Sequence, residues 1–573
     1  MMRGNKKQRT RRRCFGGLTK HSNKMVLNIP PWLVGAFVGH LSHVLVQPYE
    51  IDLRLWHVLG CFVASSAAIY YANVSLLSAT PAEALRDLAV GIASFLASLT
   101  TSIVLYRAFF HRLRKIPGPF AARITNWWIV SRIAKTQQMQ IELQNLHRQY
   151  GDYVRTGPRD ISIADASALP IVSTLPKSIF YSVSYHDHNK VGTAMTRNLL
   201  DHKMRRKGWD LAVNGKALAS YDDRVQQTAG ELIGQLANHQ GKPVDATQWM
   251  SYFAYDIMGR VGYSRNFGQL LDGAEHRAVE GLRKSQAIFG TLKPVPWVLN
   301  FLMAIPGATG EFGRYADWCR NLVEEKREAL RTEKKAQPND ILSHLLQAKE
   351  EGARYGSKTN EALGEESRAI VIAGADTTSI TLTNAFYYLS LNPEPYRKLQ
   401  AILDDIFPGG PATFEYDRVR DIPLLEGIIN ESMRLKPPVP SGNSRETPSG
   451  GIQIGDKWIP GNVNIVIPQW VVQRDERYFE QADQFIPERW IPGGDKSWMV
   501  KEKKAFFPMY VGMYHCAGKQ LALWEMRSVI SRVALQFDIG LAPGEDGREF
   551  DQKALDTFTM ALPPLQMCFK ERK

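Results

Sequence analysis

Residues 506–522 read FFPMYVGMYHCAGKQLA, and this stretch decides how the rest of the chain is interpreted. Cys516 stands between Gly512 and Gly518, and a helical pattern from Leu521 to Val533 follows it. Glycines on both sides let the backbone approach a flat ligand without clashes from Cβ atoms. A thiolate just before a helix is stabilised by exposed backbone N–H groups and by the positive end of the helix dipole. The stretch therefore favours a ligating cysteine.

These properties match a cysteinate that binds haem iron axially, where donation from the thiolate favours cleavage of the O–O bond. The competing interpretation is a buried free cysteine near a turn that contains glycine, which is the commoner fate of a single cysteine. The stretch alone does not decide between the two, so the rest of the chain must.

Length and composition allow one large folded body: the chain has 573 residues, of which 44% are hydrophobic. The five cysteines are far apart and form no CxxC pair, which argues against a disulfide framework or structural zinc and fits a reducing compartment. The net charge is +14, but residues 1–24 hold nine Lys/Arg and no acid, so removing them leaves +5. Nucleic-acid binding is therefore not indicated.

Three apolar stretches follow the basic tail, at residues 31–46, 55–77 and 88–106. The second and third are long enough for transmembrane helices, which need about 20 apolar residues. Arg107, Arg112, Arg114 and Lys115 follow the third stretch and place the rest of the chain on the cytoplasmic side. The tail also favours the cytoplasm, which requires an even number of spans, so the role of the first stretch stays open.

We divide the chain into a basic tail (1–30), a hydrophobic membrane anchor of two or three spans (31–107), a basic and Pro-rich hinge (108–120) and one body (121–573). Helices dominate the expected body, including residues 124–149, much of 224–347 and about 366–391. A hairpin is expected at residues 153–163, and short strands near 452–454, 457–459, 464–467, 557–560 and 565–569. The fold class is mainly α (α+β) with small sheets.

The sequence Ala-Gly-Ala-Asp-Thr-Thr at residues 373–378 lies inside the expected helix 366–391. A glycine there weakens the helix by ~1 kcal/mol, and a local opening against a flat ligand at Gly374 is one reason for it. Asp376 and Thr377 could then pass protons during O₂ activation. The other interpretation is a polar interruption whose hydroxyls bond back to the preceding turn.

Two further motifs carry charged residues. Glu431 and Arg434 lie three residues apart on an expected helix with apolar flanks, which indicates a buried pair that needs a third partner such as Arg489. The segment from His202 to Trp209 is a basic helical turn, in which His202 and Arg206 could reach two carboxylates of a ligand. A solvated charged face is the alternative for this turn.

In this order and spacing, the four motifs resemble the cytochrome P-450 (haem-thiolate monooxygenase) family, from about Pro117 to the C-terminus. The hydrophobic leader and the segments at residues 150–158 and 202–209 resemble fungal membrane-anchored members. The resemblance implies the cytochrome P-450 fold, a helical body with small β-sheets around a buried haem, preceded by N-terminal transmembrane helices.

The resemblance also implies haem b (iron protoporphyrin IX) as the cofactor, with Cys516 as the metal ligand. Asp376 and Thr377 are the implied catalytic residues, and Glu431, Arg434 and Arg489 the structural triad. Substrate contacts are implied before His202 and at residues 370–374, 439–442 and 558–560. The expected cofactor-binding residues are His202, Arg206, Gly374, Arg445, Tyr514, Cys516 and Gly518.

Two positions depart from the family pattern. Met509 stands seven residues before the cysteine, where the family usually has Phe, and Tyr514 stands two before it, where the family usually has Arg or His. A phenol can donate one hydrogen bond to a haem propionate but supplies no charge. These departures bear on how the haem is anchored and on its redox potential.

The implied activity is that of an oxidoreductase acting on paired donors, with incorporation of one oxygen atom into a lipophilic substrate, in fungal secondary-metabolite biosynthesis. No flavin or nicotinamide domain is visible, so we expect electrons from a membrane-bound NADPH–cytochrome P-450 reductase, with cytochrome b5 as a further donor. The expected location is the endoplasmic reticulum membrane, with a multi-pass anchor and a cytoplasmic haem domain.

Two alternatives remain at this point. One is a redox-neutral haem-thiolate isomerase or dehydratase, and the other is a non-catalytic membrane haem carrier or sensor. The intact Asp376–Thr377 pair favours oxygen activation over both.

Overall fold

The computed structural model describes residues 29–47, 49, 51–183, 187, 189–332 and 338–572. Apart from its last two residues, the basic tail expected at residues 1–30 lies outside them. The chain divides into two compact units, one formed by Met1–Pro48 and Phe62–Ile103 and the other by Tyr49–Cys61 and Val104–Lys573.

Three apolar helices occupy the N-terminal region: α1 (Pro31–Val46), α2 (Leu55–Ser75) and α3 (Pro81–Leu105), the last continuing as a π-helical turn, Tyr106–Phe110. By length and composition, α2 and Pro81–Phe110 could each cross a membrane, whereas α1 has only 16 residues. These bounds agree closely with the three apolar stretches of the sequence.

Helices α1 and α3 pack against each other within the first unit. Added Cβ atoms at Gly35 and Gly39 would collide with the α3 backbone at Gly91 and Phe95, so these glycines allow the two backbones to come close. Ser98 Oγ donates to the carbonyl of Ala36 at 2.7 Å. Later residues of α1 meet later residues of α3, so the two helices run parallel.

Helices dominate the second unit, as expected. They are α4 Phe120–Ile124, α5 Trp127–Ile133, α6 Met139–Tyr150, α7 Leu169–Val172, α8 Leu199–Ala212, α9 Gly215–Asn238, α10 Ala246–Tyr263, α11 Gln269–Asp272, α12 Arg277–Leu292, α13 Pro296–Met303, α14 Gly310–Thr332, α15 Ile341–Glu350, α16 Asn360–Leu391, α17 Pro393–Ile406, α18 Tyr416–Val419, α19 Pro423–Leu435, α20 Gln469–Val472, α21 Lys519–Gln536 and α22 Arg548–Gln552.

The strands form small sheets. They are β1 Tyr153–Arg155, β2 Asp160–Ile163, β3 Val244–Asp245, β4 Arg445–Glu446, β5 Ile452–Ile454, β6 Lys457–Ile459, β7 Asn464–Val466, β8 Phe537–Leu541, β9 Leu555–Thr557, β10 Thr559–Ala561 and β11 Gln566–Glu571. Their orders are β1-β2-β7-β4, β3-β11-β8, β5-β6 and β9-β10, and only β2 and β7 pair in parallel.

Helix α16 is the central element of the body. It begins where the Thr359 hydroxyl accepts a hydrogen bond from Ala362 N, and it ends just before Pro393, which cannot continue a helix. Helices α10, α14, α19 and α21 pack around it. Most of its side chains are buried, whereas Ala373, near its middle, is exposed.

Two expected elements were wrong in detail. Residues 124–149 form parts of three helices, because the chain turns at Gln137 (φ 52°), whose carbonyl accepts a hydrogen bond from Asp556 N at 2.7 Å. A carbonyl inside a helix could not make that bond. The strand expected at residues 557–560 is instead the hairpin β9-β10, with Phe558 at the turn (φ 92°).

Candidate active site

The loop that carries Cys516 is held from both sides of its backbone. Gln473 Oε1 accepts a hydrogen bond from Phe507 N, and Gln469 Nε2 donates to Phe507 O, each at 3.1 Å. Gly512 adopts φ 67°, a conformation that favours glycine, and Cys516 N then donates to Met509 O at 2.8 Å. The Cys516 thiol is thus presented by a fixed turn and stays partly accessible.

The surroundings of Cys516 do not stabilise a thiolate on their own. Burial raises the pKa of the thiol, although the backbone N–H of Gly518, together with Arg206 and Lys519, opposes that shift. Helix α21 begins at Lys519, two residues before the helical pattern expected from Leu521, with Gly518 as its N-cap. A bound cation at the sulfur would offset the cost of the buried charge.

The Glu431–Arg434–Arg489 triad is observed and fully buried. Arg434 binds both oxygens of Glu431, at 2.9 and 2.8 Å, and Arg489 Nε lies 3.1 Å from Glu431 Oε1. Arg434 also donates to the carbonyl of Gln473 at 2.8 Å, and Gln473 in turn holds Phe507. The triad therefore supports the cysteine loop through one intermediate residue.

A cluster of cationic and polar side chains surrounds Tyr514. The Arg445 guanidinium lies 4.3 Å and the Lys177 ammonium 5.1 Å from the centroid of the Tyr514 ring, and the His202 ring lies 4.6 Å from it. Sequence reasoning found three of these residues but missed Lys177. Its only signal was a lysine within the apolar context Leu-Pro-Lys-Ser-Ile at residues 175–179.

The cluster has too few anions for its cations, and burial together with the neighbouring Arg445 lowers the pKa of Lys177 well below its usual value. Lys177 Nζ donates only to the carbonyls of Thr193 and Ala194, and neither Lys177 nor Arg445 has a carboxylate within ion-pair distance in the described part of the chain. Burial and the neighbouring cations lower the pKa of His202 to about 3. Three buried polar atoms also lack hydrogen-bond partners among the described residues: Tyr514 Oη, His202 Nδ1 and Arg445 Nε.

Arg206 is less available for a ligand than the sequence suggested. Its guanidinium donates to the carbonyl of His515 at 2.6 Å and to Asp210 at 2.8 Å, and one nitrogen lies 2.9 Å from His515 Nε2. Arg206 therefore joins α8 to the cysteine loop next to Cys516.

The acid and alcohol expected on α16 point to different surroundings. The Thr377 hydroxyl donates back to Ala373 O at 2.9 Å and keeps an accessible surface. Asp376 accepts hydrogen bonds from Tyr255 at 2.6 Å, Gln286 at 2.9 Å and Thr559 at 3.3 Å. Burial raises the pKa of Asp376 despite these three donors.

The expected local opening of the helix at Gly374 was wrong, because α16 is helical without interruption. The alternative interpretation holds for Thr377, whose hydroxyl bonds back to Ala373 O, but not for Thr378, whose hydroxyl has no hydrogen-bond partner of good geometry among the described residues. A Cβ at Gly374 would collide with Met258 Sδ, so this glycine allows α10 to pack closely on α16. A role for Gly374 against the cofactor stays a prediction.

The segments expected to contact substrate differ in accessibility. Ile370 and Val371 are buried in the main core, whereas Ile372 is partly exposed and Ala373 is exposed. The Phe558 ring stacks on Phe180, with centroids 6.0 Å apart. The β9-β10 turn reaches α16 on the side of Asp376, because Thr559 donates to that residue.

The residues present fit a haem. Its iron needs one deprotonated cysteine, and its two carboxylates need cations and donors that have no other partner. Cys516 is accessible in the interior, and Lys177, Arg445, His202 and Tyr514 supply the unpaired cationic and polar groups. The uncovered face of α16 at Ala373 and Thr377 offers room without large side chains.

The cytochrome P-450 family profile matches residues 117–569. The chain belongs to the cytochrome P-450 family. The family recognised from the four motifs is thus confirmed, and the cofactor is haem. The fold of this cytochrome P-450 is also similar to that of the cytochrome P-450DA haem domain, with a TM-score of 0.64 at 17% identity, over 77% of this chain and 95% of that one.

Curated relatives come from fungi. The chain is 34% identical to the cytochrome P-450 monooxygenase FCK2 of Fusarium pseudograminearum over 550 residues, which cover 93% of this chain and 96% of the relative. It is 30% identical to tryprostatin B 6-hydroxylase of Aspergillus fumigatus over 546 residues, which cover 93% and 95%. These matches confirm the fungal type.

This cytochrome P-450 is a haem-thiolate monooxygenase. When bound, the haem supplies the O₂ chemistry that inserts one oxygen atom into a substrate. The protein therefore requires a redox partner, O₂ and a substrate.

Proposed function

We propose that this monooxygenase hydroxylates or otherwise oxidises a lipophilic small molecule in fungal secondary metabolism. The observation that carries the proposal is the accessible Ala373–Thr377 face of α16, which leaves space in the interior next to the buried acid Asp376. Relatives named for such chemistry, including tryprostatin B 6-hydroxylase, support the pathway class.

Asp376 and Thr377 act as the catalytic acid and alcohol. Burial favours the neutral carboxyl of Asp376, which stores a proton next to the helix face where oxygen chemistry takes place. The Thr377 hydroxyl gives up its bond to the Ala373 carbonyl, passes its proton into the interior space and regains a proton from the carboxyl of Asp376. Turning of Asp376 towards Thr377 must break its bonds to Tyr255, Gln286 or Thr559.

Cys516 is the iron ligand, and the cluster around Tyr514 holds the haem carboxylates. Lys177 and Arg445 supply the positive charges, and His202 and Tyr514 donate hydrogen bonds. Arg206 and Gly518 position the cysteine loop, Arg206 through His515 and Gly518 through its N–H beside the sulfur.

The electron donor is a membrane-bound NADPH–cytochrome P-450 reductase, with cytochrome b5 as a further donor. The location is the endoplasmic reticulum membrane, with residues 31–107 as the anchor, 108–120 as the hinge and 121–573 as the cytoplasmic haem domain. Two helices long enough to span a membrane support the anchor.

The number of spans is three. Gly35 and Gly39 bring α1 against the part of α3 that would itself cross the membrane, so α1 would lie within the membrane as well. Because α1 and α3 run parallel, α2 must cross the membrane in the opposite direction between them. Asp52, in the connection between α1 and α2, pairs with Arg159 at 2.9 Å, which supports placing this connection on the cytoplasmic side.

The test uses the full chain in microsomes with reductase, NADPH and isotope-labelled O₂. Fungal indole alkaloids, terpenoids and polyketides are the candidate substrates, and fatty acids serve as the comparison. We expect a product from the first group that carries one labelled oxygen and is lost in Cys516→Ala. A product formed without NADPH or labelled oxygen would favour the isomerase or dehydratase, and bound haem without turnover of any compound would favour the sensor.

A further inference from the structure

A lysine, a serine and an aspartate meet beside the β9-β10 turn, outside the groups already assigned to the haem or to proton transfer. Lys293 follows the last residue of α12, Ser441 follows α19, and Asp556 lies in β9. Lys293 Nζ donates to Ser441 Oγ at 3.0 Å and lies 5.4 Å from the centroid of the Phe558 ring.

Asp556 is rigidly held but incompletely bonded. Its N–H donates to the Gln137 carbonyl at 2.7 Å, and its Oδ1 accepts from Phe558 N at 3.4 Å. The side chain is buried, with 3% of the residue exposed, and burial raises its pKa, although Lys293 and the hydroxyl and N–H of Ser441 lie close enough to oppose that shift. Oδ2 nevertheless has no hydrogen-bond partner of good geometry among the described residues. A buried carboxyl oxygen without a partner is costly unless a ligand satisfies it.

Lys293 is also incompletely bonded. An ammonium has three donors, of which Ser441 takes one, and no carboxylate forms an ion pair with Lys293 within the residues that the structure describes. The side chain keeps accessible surface, although burial lowers the pKa of its ammonium. A side chain whose charge is desolvated, although other residues do not cover its whole surface, faces an internal space and not bulk solvent.

The β9-β10 hairpin fixes the position of the three-residue cluster relative to Asp376, the acid on α16. Thr559 donates to Asp376 at 3.3 Å, and Phe558, between Asp556 and Thr559, stacks on Phe180. Phe558 has φ 92°, a conformation unfavourable for a bulky side chain and typical of functional sites. The same turn therefore connects the unsatisfied polar groups to the region where oxidation takes place.

We propose that Lys293, Ser441 and Asp556 form a binding site for a neutral polar group of the substrate that donates one hydrogen bond and accepts another, as a secondary amide or a hydroxyl does. We name these three residues the Lys293–Asp556 clamp. The acceptor atom of the substrate binds Lys293, and its N–H or O–H donates to Asp556 Oδ2.

Other chemical classes fit the clamp less well. A carboxylate is repelled by Asp556, and an amine cation by Lys293. A ketone or an ether leaves Asp556 Oδ2 unsatisfied, and a hydrocarbon leaves both groups unsatisfied. A site built to bond a donor rejects the analogue that lacks it, because its own buried polar groups are then left unpaired.

The clamp refines the substrate class proposed above, and its test reads binding rather than turnover. The haem-loaded full chain in nanodiscs is titrated with matched pairs on one apolar skeleton, namely a secondary amide against its N-methylated amide and an alcohol against its methyl ether. The readout is the haem spectral shift that ligand binding produces. We expect the donor-bearing member of at least one pair to bind about tenfold more tightly or better.

Lys293→Met and Asp556→Asn, made separately, should reduce this preference to about twofold or less. Lys284→Met is the matched control, because Lys284 is an exposed lysine on the same helix. The reduced CO spectrum checks that each variant is folded and loaded, and a variant that fails it is replaced by Lys293→Gln or Asp556→Ser. A preference for the amide over the alcohol, or the reverse, identifies which group the clamp takes.

Equal responses to both members of every pair, including no response to either, overturn the proposal. An unchanged preference in folded Lys293→Met and Asp556→Asn overturns it as well, because the cluster would then only join α12 to β9. Loss of turnover with the binding preference intact would contradict the proposed function and leave the clamp standing.

Discussion

Tyr514 departs from the family pattern, yet cationic side chains lie next to it. Two residues before Cys516, where the family usually has Arg or His, the chain has a phenol that cannot carry a positive charge near neutral pH. Lys177 and Arg445 lie over the ring of Tyr514, at 5.1 and 4.3 Å. Arg445 already belongs to the family pattern, so Lys177 is the additional group, and because burial lowers its pKa, a bound carboxylate would be what keeps its ammonium charged.

Lys177→Gln is expected to weaken haem binding and to lower the reduction potential of the haem. The substitution removes a charge next to the proposed carboxylate site but keeps an amide that can bond the Thr193 carbonyl. We expect transfer of haem to apomyoglobin to accelerate by about tenfold, as for the loss of one charge-assisted hydrogen bond. Lys203→Gln, at an exposed position on α8, is the control. An unchanged potential and transfer rate would remove Lys177 from the cofactor site.

Glu525→Gln is expected to make the protein less sensitive to alkaline pH. Burial raises the pKa of Glu525 from 4.5 to about 8, with Thr378 of α16 as the opposing neighbour. The folded state therefore binds a proton more tightly than the unfolded state, and stability is lost as the pH rises from about 4.5 through 8.

Thermal unfolding at pH about 6 and about 9 checks this prediction. The wild type should lose stability between the two values, by roughly 2.5 kcal/mol, and Glu525→Gln should lose much less. Glu394→Gln changes an exposed carboxylate and should follow the wild type. Parallel losses in all three proteins would show that Glu525 is ionised at neutral pH.

Single residues also mark the limit of sequence reasoning about the site. Cys516, Asp376 and Thr377 follow from local motifs, because neighbours along the chain determine their setting. Lys177 and Gln286 could not be found in this way, since their importance comes from contacts with residues far along the chain. The sequence correctly singled out Gly374, but the expected reason, a local opening of the helix, was wrong. The glycine lets Met258 of α10 pack against α16, and that contact has no signal in the local sequence.

At the scale of elements, α16 connects proton chemistry to substrate binding. Asp376 is bonded from α10 by Tyr255, from α12 by Gln286 and from β10 by Thr559. Two of these elements adjoin the clamp, because α12 ends just before Lys293 and the β9-β10 hairpin contains Asp556. A substrate that shifts either element would change the bonds that hold the acid.

The yield of product per NADPH is expected to fall as the pH rises. In the proposed mechanism the neutral carboxyl of Asp376 is the proton donor. Burial raises its pKa and keeps it protonated to higher pH than an ordinary aspartate, so yield should be lost as the pH passes that raised pKa. Asp376→Asn should turn over about a hundredfold more slowly, with a flat pH profile. The measurement compares NADPH consumption, product and hydrogen peroxide across pH with one substrate.

Gln286→Leu provides the second arm of this experiment. This substitution removes one hydrogen bond to Asp376 but changes no residue of α16. We expect more hydrogen peroxide per NADPH. The curve of product yield against pH should shift along the pH axis but should not become flat. Gln227→Leu, on an exposed part of α9, is the control. A profile in Asp376→Asn that matches the wild type would exclude Asp376 as the donor.

Most elements could be predicted from the sequence, and the errors share one cause. The apolar stretches, the hairpin at β1-β2 and helix α16 follow from local periodicity and turn residues. The break near Gln137 and the turn at Phe558 exist because the two segments meet, with Asp556 N bonded to the Gln137 carbonyl. Such tertiary contacts override local helix and strand preference and leave no periodic signal.

At the scale of the molecule, the anchor resolves a conflict within the sequence. The basic tail and the flank after α3 both favour the cytoplasm, yet three apolar stretches are present. Gly35 and Gly39 make α1 a close partner of α3 within their own unit. In the three-span arrangement that we propose, parallel packing of these helices would place the tail on the other side of the membrane.

An N-glycosylation acceptor placed ahead of Met1 is therefore expected to be glycosylated in microsomes. The same acceptor between α1 and α2, or after Lys573, should stay unmodified, because those positions face the cytoplasm. Replacement of Gly35 and Gly39 by leucine should separate α1 from α3 and reduce modification of the N-terminal acceptor. An unmodified N-terminal acceptor in the unaltered anchor would support two spans.

The central claim is that Cys516 binds haem iron as a thiolate inside this fold. The most direct test is the difference spectrum of the reduced, CO-bound full chain in membranes, with Cys516→Ala and Cys568→Ala compared in parallel. We predict the strongly red-shifted Soret band that a thiolate ligand gives, unchanged in Cys568→Ala and absent in Cys516→Ala. A folded, haem-loaded protein that shows the band of a neutral ligand, or a red-shifted band that survives in Cys516→Ala, would contradict the assignment.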